Sequence, residues 1–209
     1  MTEELAVLQF FAKTENLPLG LAVAEQMDDI REQMNSRFWN ELQQRLNIAL
    51  NDTEWQTQVT EDRNAAGVLV GLQCKLREAQ TISLFPMLEQ QNLGGTWRIF
   101  FGLMWQAAPA PEQLALPAVA TLRKLLMDAG FKNNENFLAW QWTRHHPRRS
   151  DFLQRFAQQP EKLLDDIAAV FKPLLTDQRT LIASANVALK EMPRSMSISL
   201  DQLRRKPGH

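Results

Sequence analysis

The sequence predicts an α+β fold in which long helices cover one face of a small, mostly antiparallel sheet of about four strands. Three observations carry that expectation. Apolar residues recur every three or four positions from Met27 to Ala49 and again from Leu163 to Ile182, the spacing of a helix with one buried side. Apolar and polar residues alternate singly in "EWQTQVT" and "GVLVGLQCKL", the spacing of half-buried strands. Turn-forming clusters, "TEDRNAAG" and "QQNLGGT", separate these strands from one another and from "TWRIFFGLMW".

Taken in order, Thr2 with Glu3 and Glu4 marks a helix start running to about Lys13. After "ENLPLG", Pro18 opens a second, long helix ending near Leu50, on the order of 45 Å long. Its stripe of Met27, Ile30, Met34, Phe38, Leu42, Leu46 and Ala49 requires a cover. A hairpin follows, then "TISLF" as a short edge strand stopped by Pro86. "TWRIFFGLMW" is apolar on both faces and reads as a central strand. A proline-punctuated linker leads to a helix over about 117–129, with Gly130 as its left-handed end residue. "NFLAWQW" is a further strand placing Leu138, Trp140 and Trp142 on one face. Ser150 caps a short helix, and Pro160 opens a last long one that Pro173 kinks or splits.

At 209 residues, 44% of them hydrophobic, the chain suits one domain over 1–192 with a flexible basic tail over 193–209. Its three parts are a helical 1–50, a sheet region 54–143 with one helix, and C-terminal helices over 150–192. The lone Cys74 excludes an intramolecular disulfide, and no run approaches the roughly 18 apolar residues of a membrane span. The expectation is a cytoplasmic protein without a membrane role. A net charge of -1 argues against a protein that coats nucleic acid over its whole surface.

Charge is nevertheless uneven, and two stretches stand out. In "FLAWQWTRHHPRRSDF" the pair Trp140 and Trp142 is followed by Arg144, His145, His146, Arg148 and Arg149. The tryptophans read as core, since each buries a large apolar area. The basic run reads as a nucleic-acid-binding patch, because guanidinium forks match phosphate oxygens; its bland alternative is a solvated turn with ion pairs to Asp151 or Glu161. Consecutive histidines on a strand point to opposite faces, so no metal site is expected there. The second stretch is acidic: Asp28, Asp29 and Glu32 lie in the first half of the long helix and suit a basic protein partner. If the sheet and the last helix leave the stripe beside them uncovered, a homo-oligomer or a partner seam is expected.

The order of elements, from "FFAKTENLPLGLAVAEQMDDIREQMNSRFWNELQQRL" through a hairpin, "WRIFFGLMW" and "NFLAWQW" to "SDFLQRFAQQPEKLLDDIAAVFKPL", resembles the region after the nuclease core in phage- and prophage-borne members of the PD-(D/E)XK nuclease superfamily. The resemblance covers roughly residues 7 to 185. Its markers are Phe38-Trp39 late in a long helix, an aromatic-glycine strand, a tryptophan-rich strand and Asp151-Phe152 at a helix start. It implies a chain lacking the catalytic half upstream: a non-catalytic accessory or recognition protein that binds nucleic acid or a partner protein. One alternative is a divergent Mg²⁺-dependent nuclease using Asp62, Gln73 and Lys75, the only place resembling an acid followed by (D/E)-x-K. Magnesium is the one cofactor considered, and only for that alternative. A second alternative is an inhibitor-like interaction module docking through its acidic N-terminal helix.

Overall fold

The computed structural model of the chain describes residues 2–59, 70–76, 82–93 and 96–190. The elements in order are α1 (Glu3–Phe11), α2 (Leu17–Glu25), α3 (Met27–Ala49), β1 (Trp55–Val59), β2 (Val70–Leu76), β3 (Leu84–Leu93), β4 (Thr96–Trp105), α4 (Pro111–Leu114), α5 (Pro117–Asp128), β5 (Phe137–Trp142), α6 (Ser150–Gln158), α7 (Pro160–Thr176) and α8 (Arg179–Lys190). The α+β class stands, with the strands forming one antiparallel sheet in the order β1-β2-β3-β4-β5.

That sheet has five strands rather than about four, and the difference lies at Pro86. Far from ending an edge strand, Pro86 sits inside the ten-residue β3, opposite Leu103 of β4. The β2–β3 register among the described residues ends at Gln73↔Met87, so the missing N–H at 86 breaks none of those pairs. The loop expected over "QQNLGGT" shrinks likewise, because β3 and β4 stay paired out to Leu93↔Thr96. At its other end β3 borrows a side chain as a neighbour: Asn186 of α8 accepts from the Ser83 and Leu84 N–H groups, each at 2.8 Å.

The single long helix expected from Pro18 to Leu50 is two. Gln26 (φ -91°, ψ 0°) separates α2 from α3, leaving a helix about 35 Å long. Neither glycine nor proline stands at the break. At the other end of the chain Pro173 lies inside α7, which continues to Thr176, and the last long helix is split after it, between Thr176 and Arg179. Ser150 is the first helical residue of α6, after an N-cap at Arg149, and caps nothing. Gly130 does end α5 in the left-handed region (φ +87°), its N–H donating to Met127 O while Phe131 N–H reaches Leu126 O.

The helices pack on one sheet face. Phe38, Trp39, Leu42 and Leu46 of α3 meet Leu72, Leu88, Ile99, Phe101 and Leu103 from the strands, with Leu163, Ile167 and Phe171 of α7 and Val119 and Leu122 of α5 around them. Each such side chain contributes roughly 1.5–3 kcal/mol by burial. Phe38 is the hub, in edge contact with Trp39, Phe152 and Phe156 at 5.1–5.7 Å between ring centres. Cys74 is buried in this core, where desolvation pushes its thiol pKa up and leaves it a packing group.

The opposite face carries a smaller cluster of Phe85, Met87, Phe100, Met104 and Phe137, with Trp140 and Trp142 half-buried against it. Here β5 departs from simple alternation. The register steps from Leu103↔Ala139 to Met104↔Phe137, so Leu138 is a bulge residue. Trp140 and Trp142 therefore share their face with Phe137, while Leu138 and Ala139 turn to the helical core. Gly102 lies directly under Trp140; a Cβ there would stand 2.1 Å from Ala139 O and 2.8 Å from Trp140 Cα.

Candidate functional site

The basic run leaves β5 without leaving the sheet. Thr143 N–H and its hydroxyl both donate to Ile99 O at 2.9 Å, and Ile99 N–H donates to His145 O. This tether extends β5 beside β4 and turns alternate side chains inward: Thr143, His145 and Pro147 are buried, whereas Arg144 and Arg149 are exposed. Pro147 and the start of α6 then complete the turn.

The expected patch residues thus have separate surroundings. Arg149 donates to Asp151 at 3.0 Å, the ion pair expected of a solvated turn. Glu161, the other carboxylate expected to pair with this run, is instead held by Arg45 of α3. Arg148 lies over the Trp97 ring at 4.7 Å and the neighbouring Arg98 over Trp142 at 5.0 Å. Arg144 reaches Asp166 of α7 at 3.6 Å. His145 packs edge-on to Phe152 with its Nε2 buried and without a hydrogen-bond partner. Burial first, and then the Arg144 and Arg155 guanidiniums, push its pKa down to about 4, so the ring is neutral at pH 7. His146 is shifted the same way, by burial and by Arg98 and Arg149.

Folding adds three residues that the sequence does not announce. Arg155 of α6 and Lys162 and Asp166 of α7 join Arg144, His145 and His146 around a cleft of about 490 Å³. Arg155 donates to Asp166 at 2.8 Å. The only sequence trace of this arrangement is the four-residue spacing of Lys162 and Asp166, which puts both on one side of α7.

Comparison of the chain with protein-family models, with curated proteins and with solved structures finds no match. Among the described residues, the N-terminal hairpin of α1 and α2 carries most of the exposed large apolar side chains.

No residue of α2 is buried, and among the described side chains of α1 only Phe11 is as much as half-buried. Of fourteen exposed large apolar side chains among the described residues, eight lie on these two helices: Leu5, Val7, Leu8, Phe10, Leu17, Leu19, Leu21 and Val23. The stripe of α3 behaves accordingly. Phe38, Leu42 and Leu46 are fully buried, Met27 and Met34 are half-buried, and Ile30 between them is 41% exposed. Asp28 and Asp29 flank this end in the open, Asp28 paired with Arg31 at 3.2 Å, and Glu32 is half-buried.

Of the nuclease-type residues, Asp62 lies outside the described residues, as do 193–209, and for Lys75 only the strand position is described. Gln73 is buried on the sheet face away from the main helical core, opposite Met87. Glu89, fully buried, shares that face across from Gly71. Among the described residues no three His, Cys, Asp or Glu side chains gather closely enough to hold a metal ion, and no helix is long and apolar enough to cross a membrane.

Proposed function

We propose that the protein is a recognition protein whose α1–α2 hairpin seats a partner protein, one presenting an apolar helix face bordered by lysine and arginine. The observation that carries this is the bare apolar surface of two nine-residue helices that bury almost nothing of their own. Helices this short are marginal in water without a packed face, and exposed apolar surface on this scale marks an interface. Charge selects the occupant. Residues 2–32 carry seven acids against two bases, a net of minus five, so a second copy brings like charge to the contact whereas a basic partner neutralises it. The resemblance to the region after a PD-(D/E)XK core supports the same view, of a chain that recognises rather than cuts.

The test uses labelled 18-residue amphipathic peptides, one of leucine and lysine and one of leucine and glutamate. The lysine peptide is expected to bind, the glutamate peptide not. Binding should weaken with salt and with Asp28→Lys plus Asp29→Lys, and vanish in Leu8→Glu plus Leu21→Glu. Sedimentation showing a dimer that the same leucine changes dissociate would instead assign the hairpin to a second copy.

One observation favours a second function, the divergent Mg²⁺-dependent nuclease using Asp62, Gln73 and Lys75. Glu89 places a carboxylate, buried to completion, on the sheet face that bears Gln73. A carboxylate beside a neutral amide is still a thin donor set for Mg²⁺, which relies on charged oxygens, so the described residues fit the ion only in part. Mg²⁺-dependent plasmid cleavage abolished by both Glu89→Gln and Lys75→Ala would establish it.

A further inference from the structure

The cleft between the β5–α6 turn and α7 holds more positive charge than the described residues neutralise. Arg155 and Arg144 share one carboxylate, Asp166, at 2.8 and 3.6 Å. Asp151, the other acid of the cleft, is engaged by Arg149. Lys162 lines the cleft with no ion pair among the described residues. Three cations therefore face one available carboxylate, an excess of two charges. Behind them stands His145, 3% exposed, its Nε2 lacking any hydrogen-bond partner. A buried polar nitrogen left unpaired is costly and calls for an explanation. Two unmet demands, for about two negative charges and for a hydrogen-bond acceptor or donor, meet at one opening.

We propose that this cleft binds a phosphomonoester group. A monoester carries about -1.5 to -2 charge at pH 7 and three strong acceptor oxygens, which matches the local excess. A diester or a carboxylate brings a single charge and leaves one cation unsatisfied. The Arg144 and Arg155 guanidiniums offer N–H forks, Lys162 a point charge, and neutral His145 with its proton on Nε2 a hydrogen bond from the cleft wall. Asp166 plays the opposite part: it holds the two guanidiniums in place and competes with the incoming anion for them. The burial that keeps His145 uncharged leaves Nε2 free to donate without adding a fourth cation. No residue of α1 or α2 lines the cleft, so the site stands apart from the partner surface.

Calorimetry and phosphorus NMR on the full chain test this with inorganic phosphate, a nucleoside 5′-monophosphate, and a short DNA strand with a 5′-phosphate beside its 5′-hydroxyl twin. The phosphorylated ligands are expected to bind, and whichever binds tightest names the source of the group. Lys162→Gln and Arg155→Gln should each weaken binding about tenfold or more, the loss of a charge-assisted bond. Asp166→Asn should tighten it, a sign that a merely structural role does not produce. Because Lys162 has no ion pair to lose among the described residues, its variant keeps the test valid even if Arg155→Gln or Asp166→Asn unfolds. Absence of binding at millimolar ligand, a 5′-hydroxyl strand bound as tightly as the phosphorylated one, or Lys162→Gln binding like the native chain would overturn the assignment.

Discussion

The carboxamide of Asn186 pairs with Leu84 as a neighbouring strand would: its Oδ1 accepts the Leu84 N–H at 2.8 Å and its Nδ2 donates to the Leu84 carbonyl at 2.9 Å. The same oxygen takes the Ser83 N–H, so one side chain of α8 satisfies the start of β3. Replacing Asn186 by leucine leaves these part-buried groups unmatched and should cost about 1–3 kcal/mol, read as a lower urea midpoint at unchanged slope. Asn186→Asp keeps the acceptor, faces a carboxylate towards the Leu84 carbonyl, and should also destabilise.

Two glycines should respond differently to the same added methyl. At Gly130 nothing lies within 4 Å of the new Cβ, so Gly130→Ala meets only the left-handed backbone and should cost about 1 kcal/mol. At Gly102 the methyl meets the β5 backbone, and Gly102→Ala must separate β4 from β5. A loss of about 3 kcal/mol or more is expected, with a change in tryptophan fluorescence because Trp140 sits above it.

Stability should follow His145 in mildly acid solution. Its pKa is near 4 when folded and 6.5 when unfolded, so between those values the unfolded chain binds the extra proton. The contribution is complete above about pH 6.5 and is lost as pH falls towards 4, with a slope of at most about 1.4 kcal/mol per pH unit. His145→Gln should flatten that part of the profile in a series of thermal melts.

Surface changes in the hairpin should separate folding from recognition. Leu8 and Leu21 are more than half exposed, so Leu8→Glu and Leu21→Glu should each alter unfolding free energy by no more than about 0.5 kcal/mol. Phe38→Ala, at the centre of the core, should cost about 3–5 kcal/mol in the same assay.

Much of the fold was legible because periodicity reports burial. Phe38, Leu42 and Leu46, and the alternation of β1 and β2, declare which side faces the core, and Gly130 declares its own turn. Pro86 misleads because a missing N–H matters only where a strand needs one, and that depends on a neighbour's register. The bulge at Leu138 is invisible for a related reason: "FLAWQW" is apolar throughout, so no polar residue marks the extra position. In the cleft, Arg144 and His145 show in the composition of their segment, whereas Arg155, Lys162 and Asp166 reach it only through the packing of α6 on α7. Least legible was the hairpin. Apolar residues in such number promise burial, and only the assembled chain reveals that nothing among the described residues supplies it.

The sheet lists its strands in the order in which they are strung along the polypeptide. Three of the four pairings therefore close over short spans, and only β5 must wait for α4 and α5 to be laid down first. Search for partners is brief when they adjoin, so the four-strand meander should zip up on an early phase with β5 docking later, a sequence that pulse-labelled hydrogen exchange at Leu72, Leu88 and Ala139 would resolve.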